Sequence, residues 1–212
     1  MNRIRAFLAF TRPWAVSDPK SRAFLGVGAF NLLRREAMDA TEGLPWLRLE
    51  TADDVGLGYM MKRSGARCAA VSAFALVWLH WYSSLGQAAS GVEKGFASAF
   101  HFSFPVAMVK AGLILAFELS PLLGVLPVFR PDLPVAWAAP AVTALWALST
   151  ALLHRWARGR LLAVLLFPLA VPILAALSVR AGWLGWRRGG VMWRGTLYPS
   201  QVLRQGRRLI LP

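Results

Sequence analysis

The hydrophobic pattern divides the chain into two parts of different character. Three long apolar runs occupy residues 104–129, 133–153 and 161–179, and each approaches the roughly 20 residues that a helix needs to cross a hydrocarbon core. The first 100 residues instead alternate short apolar stretches with charged positions and hold eight of the ten acids. The pattern therefore predicts a mixed α/β soluble portion followed by an α-helical membrane module of two to three segments.

A short amphipathic helix is predicted to begin at two adjacent carboxylates, Asp53 and Asp54. Apolar residues recur on one face at helical spacing, two basic residues fall in the last turn, and Gly65 follows as a stop. Carboxylates are favoured at the positive end of the helix dipole. Such a pair is most often an ordinary acidic helix start, and the alternative is an acid/base site.

Between this helix and the first long run, the sequence predicts a strand and then an interfacial helix. Residues 68–81 form an apolar run of only about 14 residues, too short to span a bilayer, and are expected to be a buried strand followed by an irregular segment. At residues 91–103, aromatic side chains and His101 precede the first long run, which is typical of a helix lying on the membrane surface.

Composition supports a membrane protein that contacts anionic lipid. Hydrophobic residues make up 57% of the chain and charged residues 16%, with a mean hydropathy of +0.48. The net charge is +14, but the arginines flank apolar runs, which favours lipid headgroups over nucleic acid. Cys68 is the single cysteine, and the three histidines are dispersed, so the sequence has neither a disulfide nor zinc-ligand spacing.

The basic segments give conflicting signals about orientation. The loop at residues 154–160 and the tail from Arg180, which has seven arginines and no acid, should both be cytosolic, although one apolar run separates them. A re-entrant run at Pro168 and Pro172, or one at Pro121, would reconcile the two. We expect a cytosolic tail.

Two charges lie inside the first apolar run. Lys110 and Glu118 are eight residues apart and share a helix face. They either line an acceptor's entry path or extend to the membrane surface, and the second alternative is slightly favoured because both side chains are long.

Five blocks, in this order, resemble the acceptor-side half of a membrane-bound family 2 glycosyltransferase of the type that transfers sugars to lipids such as ceramide, hopanoid or carotenoid. The Asp-Asp block, followed by Lys-Arg-x-Gly, is the most specific, and the resemblance extends from Arg12 onward. The blocks are GVGAFNLLRR at 26–35, RLETADDVGL at 48–57, WYSS at 81–84, GVEKG at 91–95 and GVMWRGTLYP at 190–199.

The resemblance implies inverting transfer from a nucleotide sugar, such as a UDP-sugar, to a lipid hydroxyl at the cytosolic face of a bacterial inner membrane. Residues 1–95 would be a partial GT-A-like portion, and residues 96–212 the interfacial helix, membrane segments and basic tail. Asp54 takes the place of the catalytic base, and Asp53 would orient it or tune its protonation, because adjacent carboxylates resist joint ionisation. Substrate-binding positions implied by the blocks are Gly28, Arg35, Trp81, Glu93, Lys94, Trp193 and Arg194.

The tryptophan- and arginine-rich tail has two interpretations. Its arginines would clamp a diphosphate or acidic headgroup, or the mixture would form an interfacial belt on anionic lipid. The two are equally favoured for Trp193 and Arg194, and the belt is favoured for Trp183 and Trp186.

The chain departs from the family in one important respect. No Asp-x-Asp, the motif that holds the nucleotide through a metal, occurs in the 212 residues. We therefore expect a C-terminal part: a truncated product, a mis-set start or one half of a split enzyme. No metal is expected in this chain, and Mg²⁺ or Mn²⁺ would lie on a separate N-terminal half. The Gln/Arg-x-x-Arg-Trp motif is also absent, which leaves the acceptor open. The alternative function is a non-enzymatic or decayed membrane protein, or an accessory subunit.

Overall fold

The computed structural model describes residues 11–73, 75–77, 79–125, 127, 130–132, 134, 136–156, 162 and 166–209, and the remaining parts of the predicted apolar runs lie outside these ranges. The helices are α1 Arg35–Asp39, α2 Asp53–Arg63, α3 Leu85–Ala99, α4 Phe104–Leu119, α5 Ala139–Trp156, α6 Phe167–Arg188 and α7 Ser200–Gly206. Short 3₁₀ turns occupy Pro13–Ala15, Leu44–Leu47 and Ser120–Val125. The strands are β1 Gly190–Trp193 and β2 Thr196–Pro199.

The prediction of an α/β, GT-A-like soluble portion is wrong. The described residues are mostly helical, and their strands form a single antiparallel hairpin, with Val191 opposite Tyr198, in the tail. The described residues of the predicted strand at 68–81 are irregular. Short apolar runs do not specify a strand by themselves, because a strand requires a neighbour that pairs with its backbone.

Helix α2 begins at the acid pair, as predicted. Met60 and Met61 are buried on its inner face, and Gly65 follows the helix with φ +82°. The N-cap residue is Ala52, and no side chain caps this end. The two carboxylates lie in the first turn, so their stabilising effect on the helix comes from the dipole rather than from a capping hydrogen bond.

An extended segment crosses α2 at very close range. A Cβ on Gly26 or on Gly58 would overlap backbone atoms of the facing segment, so both positions require glycine for this approach. At the other end of the helix, Lys62 Nζ donates to the carbonyl oxygens of Val16 at 2.7 Å and Asp18 at 2.8 Å. These contacts hold residues 16–28 against α2 and bring Gly28 to its first turn.

Helices α4 and α6 pack as an antiparallel pair. The ring of Phe104, at the start of α4, lies 5.4 Å from that of Trp183, near the end of α6. A Cβ on Gly182 would overlap Ala107, a small-residue contact that lets the two backbones approach closely. Within the described residues, two helical segments are long and apolar enough to cross a membrane, Phe104–Gly124 and Pro168–Arg188.

We expect the protein to stay with the membrane after carbonate extraction, because both helices of this pair carry largely apolar, lipid-compatible surfaces. The measurement is an immunoblot of pellet and supernatant at high pH. Recovery of the chain in the supernatant without detergent would contradict the expectation.

At one of its ends, the α4 and α6 pair brings together segments that are far apart in the sequence. The segment before α4 and the tail after α6 meet at one end, where Glu93 accepts hydrogen bonds from Arg188 at 2.8 Å and Arg180 at 3.3 Å. If α4 and α6 both cross a membrane, the first 100 residues and the basic tail therefore lie on the same side. Helix α6 continues through Pro172 without a break, so a crossing α6 would separate the tail from His154 and Arg155 at the end of α5, and the conflict between these basic segments remains.

Cysteines introduced at Asp39 and Gln205 are expected to react with a membrane-impermeant maleimide from the same side of the bilayer. Both positions are exposed, and a Cys68→Ser background removes the native thiol. Labelling is compared in right-side-out and inverted vesicles. Reaction of the two cysteines from opposite sides would exclude a paired crossing of α4 and α6.

Candidate functional site

The carboxylate of Asp54 lies where three separate segments meet. It projects from the first turn of α2 and is half-buried. A Cβ built on Gly28 would lie 3.1 Å from Asp54 Oδ2 and 3.8 Å from Cη2 of Trp81. The backbone of Gly28 thus lies close to the Asp54 carboxylate, and the edge of the Trp81 indole approaches the same position. Within the described residues, no hydrogen bond is donated to this carboxylate, so both oxygens can accept one from a bound hydroxyl.

A second group of predicted residues forms a chain of contacts from Asp53 to the tail. Lys94 Nζ lies 3.1 Å from Asp53 Oδ1 and 4.5 Å from the ring centre of Trp193. The guanidinium of Arg194 lies 5.0 Å from the same ring. Asp53 is largely exposed, so the ion pair contributes about 1 kcal/mol at most. Its main effect is positional, because it ties α3 and the β-hairpin to the start of α2.

An open cleft lies beside this chain of contacts. Its enclosed volume is about 50 Å³, and the space beside it opens to solvent. Its lining combines apolar and aromatic side chains with two cations, the exposed Arg48 and the half-buried Lys94. It consists of Arg48, Leu49, Glu50, Thr51, Lys94, Val191, Trp193, Tyr198 and Leu203. Such a surface suits an amphiphilic molecule whose polar end reaches Lys94.

Glu50 fixes one wall of the cleft, a role that the sequence analysis missed. Its buried carboxylate accepts hydrogen bonds from the backbone N–H groups of Arg208 at 2.8 Å, Leu209 at 3.0 Å and Ala52 at 3.2 Å. The end of the tail is thereby held against the turn before α2. The available signal was weak: a single acid between Leu49 and Thr51, three residues before Asp53.

Glu93 and Arg35 do not join the other predicted site residues. The Glu93 side chain is 5% exposed, and its two oxygens are paired with Arg180 and Arg188, so it joins α3 to α6. Arg35 lies exposed in α1, and no contact between described residues connects it to Asp54. These two positions are therefore placed away from the cleft.

Lys110 reaches out of the apolar part of α4. Its Nζ donates to the carbonyl oxygen of Ala99 at 3.0 Å, at the end of α3. This agrees with the interpretation in which the charge extends to the helix end, and the structure does not bring Lys110 and Glu118 into a common path.

The described residues offer no fit for a metal ion. They contain no group of three or more His, Cys, Asp or Glu side chains that would hold one.

The comparisons with known proteins add no relative to this description. No protein-family model, curated protein or solved structure matches the chain.

Proposed function

We propose that this chain supplies the catalytic base and the acceptor site for transfer of a sugar from a nucleotide sugar to a lipid hydroxyl at a membrane surface. The observation that carries the proposal is the convergence on α2 of residues from four other sequence blocks. Gly28 and Trp81 lie next to Asp54, while Lys94 and Trp193 extend from Asp53. These residues come from positions between 28 and 193 of the chain, and their meeting at the start of α2 is the geometry on which the proposal rests.

Asp54 is the residue best placed to act as the base. Its carboxylate receives no hydrogen bond from the described residues and lies beside the open backbone of Gly28. Asp54 would take the proton of the acceptor hydroxyl while that oxygen attacks the anomeric carbon. The bond from the anomeric carbon to the nucleoside diphosphate breaks, and the configuration at the sugar inverts.

Lys94 would let two neighbouring carboxylates work as separate groups. It pairs with Asp53 at 3.1 Å and so offsets the charge next to the base. Its ammonium also faces the cleft, where it would hold a polar group of the lipid or of the departing diphosphate. The aromatic ring of Trp193 covers the same ammonium and excludes water from one side.

The acceptor would arrive from the membrane along the end of the α4 and α6 pair. The hairpin that carries Trp193 follows α6 directly, and α3, which carries Lys94, is joined to α6 through Glu93. A lipid lying in the bilayer would therefore present its headgroup to the cleft. The donor nucleotide and its metal are assigned to polypeptide outside these 212 residues, since no Asp-x-Asp occurs within them.

The test is a comparison of membrane glycolipids in the source organism. Deletion of the coding sequence is expected to remove one class of glycolipid, and the wild-type chain should restore it when expressed from a plasmid. This design keeps any separate donor-binding partner in place. An unchanged glycolipid profile after deletion would reject the proposal.

An accessory, non-enzymatic role is the second candidate. It is kept because the 212 residues lack the Asp-x-Asp motif of the family that the chain resembles. It makes a different prediction in the same experiment, because a chain with Asp54→Asn would then restore the glycolipid as well as the wild type does.

A further inference from the structure

We propose that the turn between α3 and α4, together with α7 and the residues after it, forms a binding site for a phosphate-bearing lipid headgroup. The site is built from His101, Lys110, Arg204 and Arg207. It is distinct from Asp54 and from the cleft beside Lys94 and Trp193, and it does not depend on the transfer reaction.

Three cations converge on this turn from two directions. Arg204 Nη2 donates to the carbonyl oxygen of His101 at 2.8 Å, and Arg207 Nη1 lies 3.0 Å from His101 Nδ1. From α4, Lys110 Nζ donates to the carbonyl oxygen of Ala99 at 3.0 Å. A guanidinium has five N–H donors and an ammonium three, so each cation keeps donors for phosphate oxygens.

The turn on which these cations converge has a defined backbone conformation. His101 and Phe102 both have positive φ, at 55° and 54°, a conformation that is unfavourable for residues other than glycine. Phe102 is buried in a cluster with Val191 and Leu203, and this packing fixes the turn. Arg204 lies over the Phe102 ring at 5.7 Å, which orients its guanidinium beside His101.

The cluster has no counter-charge in the part of the chain that the structure describes. No carboxylate there forms an ion pair with Lys110, Arg204 or Arg207, in contrast to Arg180 and Arg188. Desolvation and then the charges of Arg207, Lys110 and Arg204 lower the pKa of His101 below its ordinary value of 6.5. Uncompensated positive charge at a partly exposed site favours an anion, and the planar guanidinium of arginine can donate two parallel hydrogen bonds to the oxygens of a phosphate.

The position of this cation cluster indicates that the anion comes from the membrane. The turn directly precedes α4, whose first residue, Phe104, packs against Trp183 and Trp186 at 5.4 and 6.5 Å. Tryptophans at the end of an apolar helix lie at the depth of lipid headgroups. The cations on the turn therefore lie at the level where phosphates of the same leaflet are found.

The test is a binding titration on the full chain in a neutral detergent. Dioctanoyl phosphatidic acid is the probe, intrinsic tryptophan fluorescence is the signal, and dioctanoyl phosphatidylcholine and inorganic phosphate are run in parallel. The double variant Arg204→Gln/Arg207→Gln is expected to bind phosphatidic acid at least about ten-fold more weakly, since each charged hydrogen bond is worth about a factor of ten or more. The matched control is Arg187→Gln, which removes an exposed arginine at the end of α6, and we expect a change of less than about two-fold.

A second readout is the pKa of His101, followed by NMR of the ring carbon and assigned by the signal that His101→Gln lacks. The cations that face the imidazole are Arg204, Arg207 and Lys110, so a bound phosphate should raise this pKa and tighten binding as the pH falls. The double variant should also raise the pKa in the absence of lipid. This readout separates loss of the site from a general loss of folding.

The remaining outcomes are equally decisive. Binding of inorganic phosphate with the same loss in the double variant would keep the phosphate site but assign it to a soluble ligand. Equal affinity of the wild type, the double variant and Arg187→Gln for phosphatidic acid, or a His101 pKa that the lipid does not move, would overturn the proposal.

Discussion

Asp54→Asn is expected to leave the protein folded and to remove most of the lipid glycosylation. The amide keeps the shape of the side chain, and no described residue donates a hydrogen bond to the carboxylate that would be lost. The cost to stability is the loss of one charge at a helix start, about 0.3–1 kcal/mol. Loss of a general base instead lowers turnover by a factor of about 10² to 10⁴, or roughly 3 to 5 kcal/mol of transition-state stabilisation.

The measurement combines two assays on the same preparations. Glycolipid formation is followed in membranes of the complemented deletion strain, and thermal unfolding is followed on the purified chain in detergent. The matched control is Glu42→Gln, which removes a carboxylate that pairs with Arg63 at the opposite end of α2, at 3.4 Å, and should leave both assays nearly unchanged. Near-normal glycolipid formation by Asp54→Asn would remove this residue from the mechanism.

The local features of the chain were predictable from sequence because their causes are local. Helix α2 follows from an acidic start, apolar residues at helical spacing and Gly65 at its end. The two candidate spans follow in the same way from apolar runs of sufficient length, although the last one continues beyond the predicted end at residue 179, to Arg188. The interfacial helix that was predicted at residues 91–103 overlaps α3, which spans Leu85–Ala99.

The long-range features were not predictable from one sequence. The expected sheet depended on pairing between strands, which no residue pattern specifies, and the resemblance suggested it for segments that are irregular in the structure. Glu93 matched a substrate-binding block, but arginines 87 and 95 residues further along the chain take both of its oxygens. A buried acid and two distant cations have no signature in sequence spacing.

These long-range contacts explain how the membrane helices are coupled to the cleft. Glu93 is buried and pairs with two partly exposed arginines of α6, so its removal would break both of these links between α3 and α6. Lys94, the next residue, contacts Asp53 and Trp193. The same turn of α3 thus attaches to α6 on one side and to the start of α2 on the other.

Gly58→Ala is expected to destabilise the protein by about 2–3 kcal/mol, although alanine is the better helix former by about 1 kcal/mol. A Cβ at this position of α2 would overlap the carbonyl group of Leu25 and crowd the backbone nitrogen of Gly26. Backbone atoms cannot rotate away as a side chain does, so the whole segment must shift. For a chain of this length, the change corresponds to a fall of roughly 4–12 °C in the melting temperature.

The same substitution should reduce glycolipid formation, because the displaced segment carries Gly28 to the Asp54 carboxylate. Gly95→Ala is the matched control: it is also a helical glycine, in α3, and no described atom lies within 4 Å of its added Cβ. There the gain in helix propensity acts alone, so stability should rise by about 0.5–1 kcal/mol. If Gly58→Ala instead raised the melting temperature as Gly95→Ala does, the close crossing of residues 25–28 over α2 would be excluded, and with it the geometry that exposes Asp54 to an acceptor.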